Sequence, residues 1–184
     1  AGIAMAAHRA GAIFVLDCVA SGALYVDMAS LGVDVLLTAP QKGWTASPCA
    51  GVIMLGVGGL DRIEKTTSTS YAADLKKWLS IMQTYENGGH AYHATMPTDG
   101  LRLFRDAVHE TRDIGFALVK QAQIDLGVRM RALTESYGFV SVAAEGFKAP
   151  SVIVNFTDDP DMKSGKKFIE AGLQIAAGVP LEIG

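Results

Sequence analysis

Short apolar runs in the first third of the chain predict three strands. They cover residues 12–17, 33–38 and 51–55. Uninterrupted apolar runs of this length are typical of strands buried on both faces of a parallel sheet. Residues 1–10 predict a helix that Gly11 ends, and residues 27–31 predict a short helical turn that Gly32 ends.

Helical spacing dominates the middle of the chain. Residues 75–85 place four apolar side chains on one helix face, namely Leu75, Trp78, Leu79 and Met82. The glycines after Asn87 end this helix. A long helix is expected after Pro97, and it continues or kinks near Gly115 into residues 117–126.

The last third of the chain predicts a smaller α+β domain. Residues 138–140 and 151–156 favour strands, and residues 166–171 favour a helix. We therefore expect residues 1–110 to form the C-terminal half of a larger domain and residues 111–184 to form part of a smaller one. Because the first residues already have helical character and residues 175–184 predict only a loop, we expect an internal portion of a longer protein.

Composition and charge exclude several classes of function. The 184 residues are 49% hydrophobic, with a net charge of -3 and a pI near 5.8, which argues against nucleic acid or an anionic membrane as a partner. No apolar stretch approaches the roughly 20 residues that a spanning helix needs. Cys18 and Cys49 form no CxxC pair. Reduced thiols in a reducing, cytoplasmic compartment are therefore expected.

Two charged residues suggest the chemistry of a candidate site. Asp17 ends the first predicted strand, and Lys42 follows the second within Ala-Pro-Gln-Lys-Gly. Ligand groups gather at the carboxyl ends of parallel strands, so both side chains should lie at one edge of the sheet. An apolar setting lowers the pKa of a lysine and makes it a usable nucleophile. Pyridoxal phosphate (PLP) needs both a lysine and an acidic partner for its pyridinium nitrogen.

Other interpretations of single residues stay open. Asp17 could cap a turn, Lys42 could be a surface lysine, and Thr95 could cap the helix after Pro97. His90 and His93 have a spacing that could bind a metal, but no third ligand supports zinc. Residues 56–61 resemble a dinucleotide-binding glycine pattern whose third glycine is replaced by aspartate, and a flexible turn is the better account.

Three segments together resemble one known family. They are Asp-Cys-Val-Ala-Ser at residues 17–21, Gln-Lys-Gly at residues 41–43, and Tyr-His-Ala-Thr-Met-Pro at residues 92–97. Their order and spacing resemble the class V PLP-dependent aminotransferases, the family of alanine–glyoxylate and serine–pyruvate aminotransferases. The resemblance implies an α/β PLP-transferase fold of type I, with a mostly parallel sheet flanked by helices and followed by part of a small α+β domain.

The resemblance also implies cofactor-binding roles for residues near the predicted sheet edge. Lys42 would bond covalently to PLP and move the substrate proton. Asp17 would keep the pyridine nitrogen protonated. Val19 would pack on the ring, and Gln41 would hydrogen-bond near the ring oxygen or the phosphate. No metal is implied.

The resemblance further implies an active site shared between subunits, through the third segment. Tyr92 and Thr95 would reach the phosphate bound by a neighbouring subunit, which makes the enzyme a homodimer. The resemblance places the phosphate-binding glycine turn before Ala1 and the arginine that binds the substrate carboxylate after Gly184.

The sequence leaves three functions to distinguish. The first is transfer of an amino group from a small amino acid, alanine or serine, to a 2-oxo acid, glyoxylate or pyruvate. The second is a cysteine desulfurase or related lyase, a subgroup that resembles this one but carries histidine where Gln41 stands. The third is a nonenzymatic α/β interaction domain.

Overall fold

The computed structural model describes residues 1–176, and all structural statements concern these residues. They form three strands and eight helices: α1 Gly2–Arg9, β1 Val15–Asp17, α2 Met28–Leu31, β2 Val35–Thr38, β3 Val52–Leu55, α3 Val57–Glu64, α4 Leu75–Glu86, α5 Thr98–Ile114, α6 Phe116–Ser136, α7 Pro160–Lys163 and α8 Lys166–Glu170. The chain divides into two compact units, Ala1–Gln123 and Ile124–Gly184, and the division falls inside α6.

The three strands form one mixed sheet in the order β1-β2-β3. Strand β1 runs parallel to β2, with Asp17 opposite Leu37, and β2 runs antiparallel to β3. The α/β architecture agrees with the prediction. Strand β1 begins three residues later than expected, because the Phe14 N–H donates to the Asp34 carboxylate at 2.7 Å instead of to a neighbouring strand.

The expectation that all three strands are buried on both faces is right only for β2. Three of the four residues of β2 are buried, whereas β1 and β3 contain only exposed and half-buried residues. Cys18, Val33 and Leu36 form the buried core of this unit. The short helix α2 begins and ends as its residues predict, because Asp27 accepts from two N–H groups at its start and Gly32 closes it with φ 70°.

Residues 56–61 do not form the flexible turn that their glycine pattern predicted. Helix α3 begins at Val57, and its glycines allow close packing on Asp34. A Cβ added at Gly58 would lie 2.0 Å from Asp34 Oδ1, and one at Gly59 would lie 2.4 Å from the Asp34 carbonyl oxygen. These glycines therefore have a packing reason that no local pattern reveals.

Asp34 itself is a buried carboxylate with two partners. It accepts the Phe14 N–H and lies 2.7 Å from His8 Nε2. The hydrogen bond from Phe14 is the main reason that the pKa of Asp34 lies below its ordinary value, with the His8 ring contributing further. Asp34 joins α1 to the sheet in this way.

The helices α4 to α6 follow the predicted pattern with two differences. Leu75, Trp78 and Leu79 are half-buried as expected, but Met82 is 58% exposed. Gly115, at φ 104°, separates α5 from α6, and α6 extends ten residues beyond the predicted end to Ser136.

The second unit contains less regular structure than predicted. The two expected strands are reduced to an isolated antiparallel bridge between Ser141 and Asn155. Arg131 is buried and donates to Ser141 Oγ at 2.8 Å and to the Ala149 carbonyl at 2.9 Å. The predicted helix over 166–171 corresponds to α8. The assignment of the chain to parts of a large and a small domain stays a prediction, and residues 177–184 of the expected terminal loop lie outside the described residues.

None of the helices within residues 1–176 combines the length and the apolar character of a membrane span.

Candidate active site

The carboxyl ends of the parallel strands β1 and β2 carry the two candidate charged residues. Asp17 is the last residue of β1, and the Cys18 N–H that follows it donates to the Leu37 carbonyl at 2.8 Å. Lys42 lies four residues beyond Thr38, the last residue of β2. The parallel pairing therefore brings the segments that follow both strands to one edge of the sheet, as the sequence predicted.

Lys42 lies in a compact turn of the chain. Its N–H donates to the Ala39 carbonyl at 3.2 Å, and its own carbonyl accepts from Thr45 at 3.3 Å. Thr45 has φ 54°, the left-handed region that β-branched residues rarely adopt, and it is the one non-glycine residue with positive φ in residues 1–176. The turn holds the lysine backbone in a defined conformation.

Two glycines bring the loops after β1 and β2 into contact. A Cβ added at Gly43 would lie 1.9 Å from the carbonyl oxygen of Gly22 and 2.4 Å from its carbonyl carbon. Only glycine at position 43 allows this approach. The residue after Lys42 thus packs directly on the loop that begins at Asp17.

Four aromatic rings of the first unit pack together beside the turn that carries Lys42. Trp44, only 8% exposed, lies 4.9 Å from Tyr25, 5.9 Å from Phe104 and 6.3 Å from Phe116, measured between ring centroids. Tyr25 Oη donates to the Gly43 carbonyl at 3.2 Å. The Tyr25 hydroxyl is a neutral donor at physiological pH, and burial raises its pKa further above that range. The backbone beside Lys42 is therefore held by packing and by a hydrogen bond.

The side chains of Asp17, Gln41 and Lys42 are exposed, and Val19 is half-buried. The Val19 N–H donates to Asp17 Oδ1 at 2.9 Å, so Asp17 also makes the turn contact that was one of its alternative interpretations. The expectation of a buried, apolar setting for Lys42 is wrong for this chain. Among the residues next to Lys42 in sequence, Trp44 is buried, but the Lys42 side chain is not. The Lys42 ammonium forms no hydrogen bond or ion pair to residues 1–176.

Tyr92 and Thr95 lie together on the segment between α4 and α5. Tyr92 Oη and Thr95 Oγ1 are 3.1 Å apart, and Tyr92 is 70% exposed. Thr95 does not cap α5, because Pro97 occupies the N-cap position. Neither hydroxyl forms a hydrogen bond to Asp17 or Lys42 in the described part of the chain.

His93 has a structural role that its sequence context did not indicate. Its ring lies 4.3 Å from that of Tyr71 and 4.9 Å from that of Trp78. Among residues 1–176, no three His, Cys, Asp or Glu side chains are grouped so that they could hold a metal. The relevant sequence signal was the aromatic content of residues 71–78, which lie too far from His93 in sequence to suggest the contact.

Comparison with known proteins identifies the fold. No protein-family model matches the sequence, and no curated protein matches it significantly. Alanine–glyoxylate aminotransferase from Nostoc sp. matches with a TM-score of 0.82 and 17% identity, over 97% of this chain and 48% of its own. Ureidoglycine–glyoxylate aminotransferase from Bacillus subtilis gives a TM-score of 0.76 and 19% identity, over 97% and 46%. A cysteine desulfurase from Thermococcus onnurineus gives 0.66 and 14%, over 93% and 43%.

The chain thus has the fold of part of these enzymes. It spans a little under half the length of each of them. The resemblance to class V aminotransferases is confirmed at the level of the fold, and so is the PLP-transferase fold class that it implied.

Proposed function

We propose that the chain forms part of a PLP-dependent aminotransferase. The observation that carries this proposal is the contact of Gly43 with Gly22, which joins the loop of Lys42 to the loop of Asp17 at one sheet edge. A cofactor that needs an amine and a carboxylate on opposite sides of a small ring suits such an edge. The fold shared with aminotransferases supports the same conclusion.

The residues present fit the cofactor. The exposed amine of Lys42 makes no competing ion pair within residues 1–176, and the exposed Asp17 carboxylate is oriented by the Val19 N–H. Bound PLP supplies an electron-accepting ring. Lys42 would hold it covalently and afterwards carry the proton at the substrate α carbon, while Asp17 would hold the proton on the ring nitrogen. Val19 and Gln41 would contact the ring and its polar substituents.

Glyoxylate or pyruvate is the proposed amino acceptor, and alanine or serine the proposed donor. The two aminotransferases above are named for glyoxylate, which supports a small 2-oxo acid. A desulfurase is the less favoured alternative. Its TM-score of 0.66 is lower than the 0.82 of the alanine–glyoxylate enzyme, and Gln41 precedes Lys42 where that subgroup has histidine.

The test of this proposal is chemical labelling of the full-length protein. Addition of PLP should produce the visible absorbance of a lysine adduct, and borohydride reduction followed by peptide mapping should locate the pyridoxyl group on Lys42. Lys42→Ala should abolish both the label and transamination, because it removes the amine and the proton carrier. Lys65→Ala, which removes an exposed lysine immediately after α3, is the matched control. A label on another lysine, or no label, would refute the proposal.

A homodimer with shared sites is the second part of the proposal. The hydroxyls of Tyr92 and Thr95 are exposed and adjacent, as donors to a phosphate from another subunit would have to be. Removing both hydroxyls with Tyr92→Phe and Thr95→Ala should weaken PLP binding by about 2–4 kcal/mol.

Mixing two variants that are defective in different parts of the site tests whether the sites are shared. Lys42→Ala and the Tyr92→Phe, Thr95→Ala double variant should partly restore activity when their subunits exchange, because one site in each mixed dimer then carries neither defect. Subunit exchange is measured separately with labelled chains. Proven exchange without recovery would place Tyr92 and Thr95 in the site of their own subunit.

A further inference from the structure

The segment that carries Tyr92 and Thr95 has little backbone support. Within the described part of the chain, residues 90–95 belong to no helix or strand and make no hydrogen bond from backbone to backbone. Gly88 and Gly89, immediately upstream, add conformational freedom. A hydroxyl pair on such a segment needs another restraint if it is to bind a ligand in a fixed position.

His93 supplies that restraint through a reciprocal contact with Tyr71. His93 Nε2 lies 3.0 Å from the Tyr71 carbonyl oxygen, and Tyr71 Oη donates to the carbonyl oxygen of His93. The two rings stack at 4.3 Å with an interplanar angle of 37°. His93 is thus bound to one partner by its side chain and by its backbone.

The partner segment is itself attached to a helix. The rings of Trp78, on α4, and His93 meet edge to face, with centroids 4.9 Å apart. Its indole Nε1 donates to the Ala72 carbonyl at 2.8 Å, next to Tyr71. A continuous set of contacts therefore runs from α4 to His93, which lies between Tyr92 and Thr95 in the sequence.

We infer that His93 is a positioning residue that holds the Tyr92–Thr95 hydroxyl pair in place for the phosphate of the cofactor. The inference rests on the proposed function. His93 needs no contact with the ligand, because its restraint acts on the backbone between the two hydroxyls. His90 lies on the same segment, but its one ring contact within residues 1–176 is with Tyr85, at 5.8 Å, so it should not share this role.

Binding of PLP and of pyridoxal, which lacks the phosphate, tests the inference in the full-length protein. His93→Ala should raise the Kd of PLP about tenfold, the equivalent of roughly one net hydrogen bond. The Kd of pyridoxal should stay the same. His93→Gln can still donate an N–H toward the Tyr71 carbonyl and should recover part of the PLP affinity. His90→Ala is the matched control and should change neither Kd.

Amide hydrogen exchange of the cofactor-free protein gives a readout that does not depend on activity. Exchange across residues 91–95 should accelerate in His93→Ala and remain at the wild-type rate in His90→Ala.

The results distinguish a failure of the inference on His93 from a failure of the proposed function. Selective loss of PLP affinity together with faster exchange supports the inference. Equal weakening of PLP and pyridoxal, or no weakening of either, would overturn it while leaving the proposed function in place. A wild-type protein that binds neither compound would overturn the proposed function itself. If His93→Ala does not fold, the His93→Gln variant decides. Wild-type PLP affinity and a wild-type exchange rate in folded His93→Gln would support the role of the N–H. Equal weakening of PLP binding and pyridoxal binding in that variant would overturn the inference.

Discussion

Gly43→Ala tests whether the contact between the two loops fixes the position of the lysine. The added Cβ would lie 1.9 Å from the Gly22 carbonyl oxygen, whereas ordinary van der Waals contact begins at 3.4 Å. The loops would have to separate by about 1.5 Å to remove the overlap. The Gly22 carbonyl belongs to the backbone and the backbone of residue 43 fixes the position of the Cβ, so no side-chain rotation can relieve the overlap.

This separation should affect both stability and activity. Overpacking of this kind destabilises a protein by about 1–3 kcal/mol, and the rigid turn around Lys42 favours the upper end of that range. A misplacement of about 1 Å in a catalytic group can reduce turnover by about a hundredfold. We therefore expect Gly43→Ala to lose about 2–3 kcal/mol of unfolding free energy and most of its transamination activity at saturating PLP.

Urea unfolding and steady-state kinetics of the full-length protein are the appropriate assays. Gly51→Ala is a matched control, because a Cβ at that position would meet no atom within 4 Å and its φ is not positive. It should leave stability and turnover close to those of the wild type. If Gly43→Ala behaves like Gly51→Ala, the two loops are not in close contact and the geometric support for the proposed function fails.

Two aspartates give further predictions. Asp17→Asn should retain PLP, detected by its absorbance, but should reduce turnover by a hundredfold or more, about two pKa units of lost preference for the ring proton; near-normal turnover would make Asp17 a turn residue only. Asp34→Ala should lower the free energy of unfolding by about 2 kcal/mol, because the Phe14 N–H loses its acceptor, while the exposed Asp61→Ala should lower it by less than about 0.5 kcal/mol. Because the Phe14 N–H holds the pKa of Asp34 below its ordinary value, the ionised form stabilises the fold fully above about pH 4, and this contribution is lost as the pH falls through the folded-state pKa. Unfolding curves of wild type and Asp34→Asn should therefore converge as the pH is lowered below 4, and a constant difference would contradict the assignment.

Local chemistry explains what the sequence predicted well. Helix α2 has Asp27 at its start and Gly32 at its end, and both act within a few residues of their own position. Helix α3 was missed because the reason for its glycines is Asp34, more than twenty residues upstream. Packing between distant segments leaves no periodic pattern, so such contacts cannot be inferred from neighbouring residues.

In the candidate site, too, local features were predictable from the sequence and tertiary contacts were not. Strand ends were predictable, and they placed Asp17 and Lys42 at one edge of the sheet. The exposure of the Lys42 side chain was not predictable, because residues that are neighbours in sequence do not have to be neighbours in space. The contact of Gly43 with Gly22 and the restraint on His93 both depend on the tertiary fold and became visible only there.

Thr45 makes this chain less stable than its fold requires. Its left-handed backbone conformation costs about 1–3 kcal/mol in a residue other than glycine. Glycine or asparagine at this position would relieve that cost, so a search for thermostable variants should find position 45 early. Glycine would also widen the range of conformations open to the turn around Lys42. A variant selected for heat resistance alone could therefore hold its nucleophile less firmly, and selection here should monitor turnover together with melting temperature.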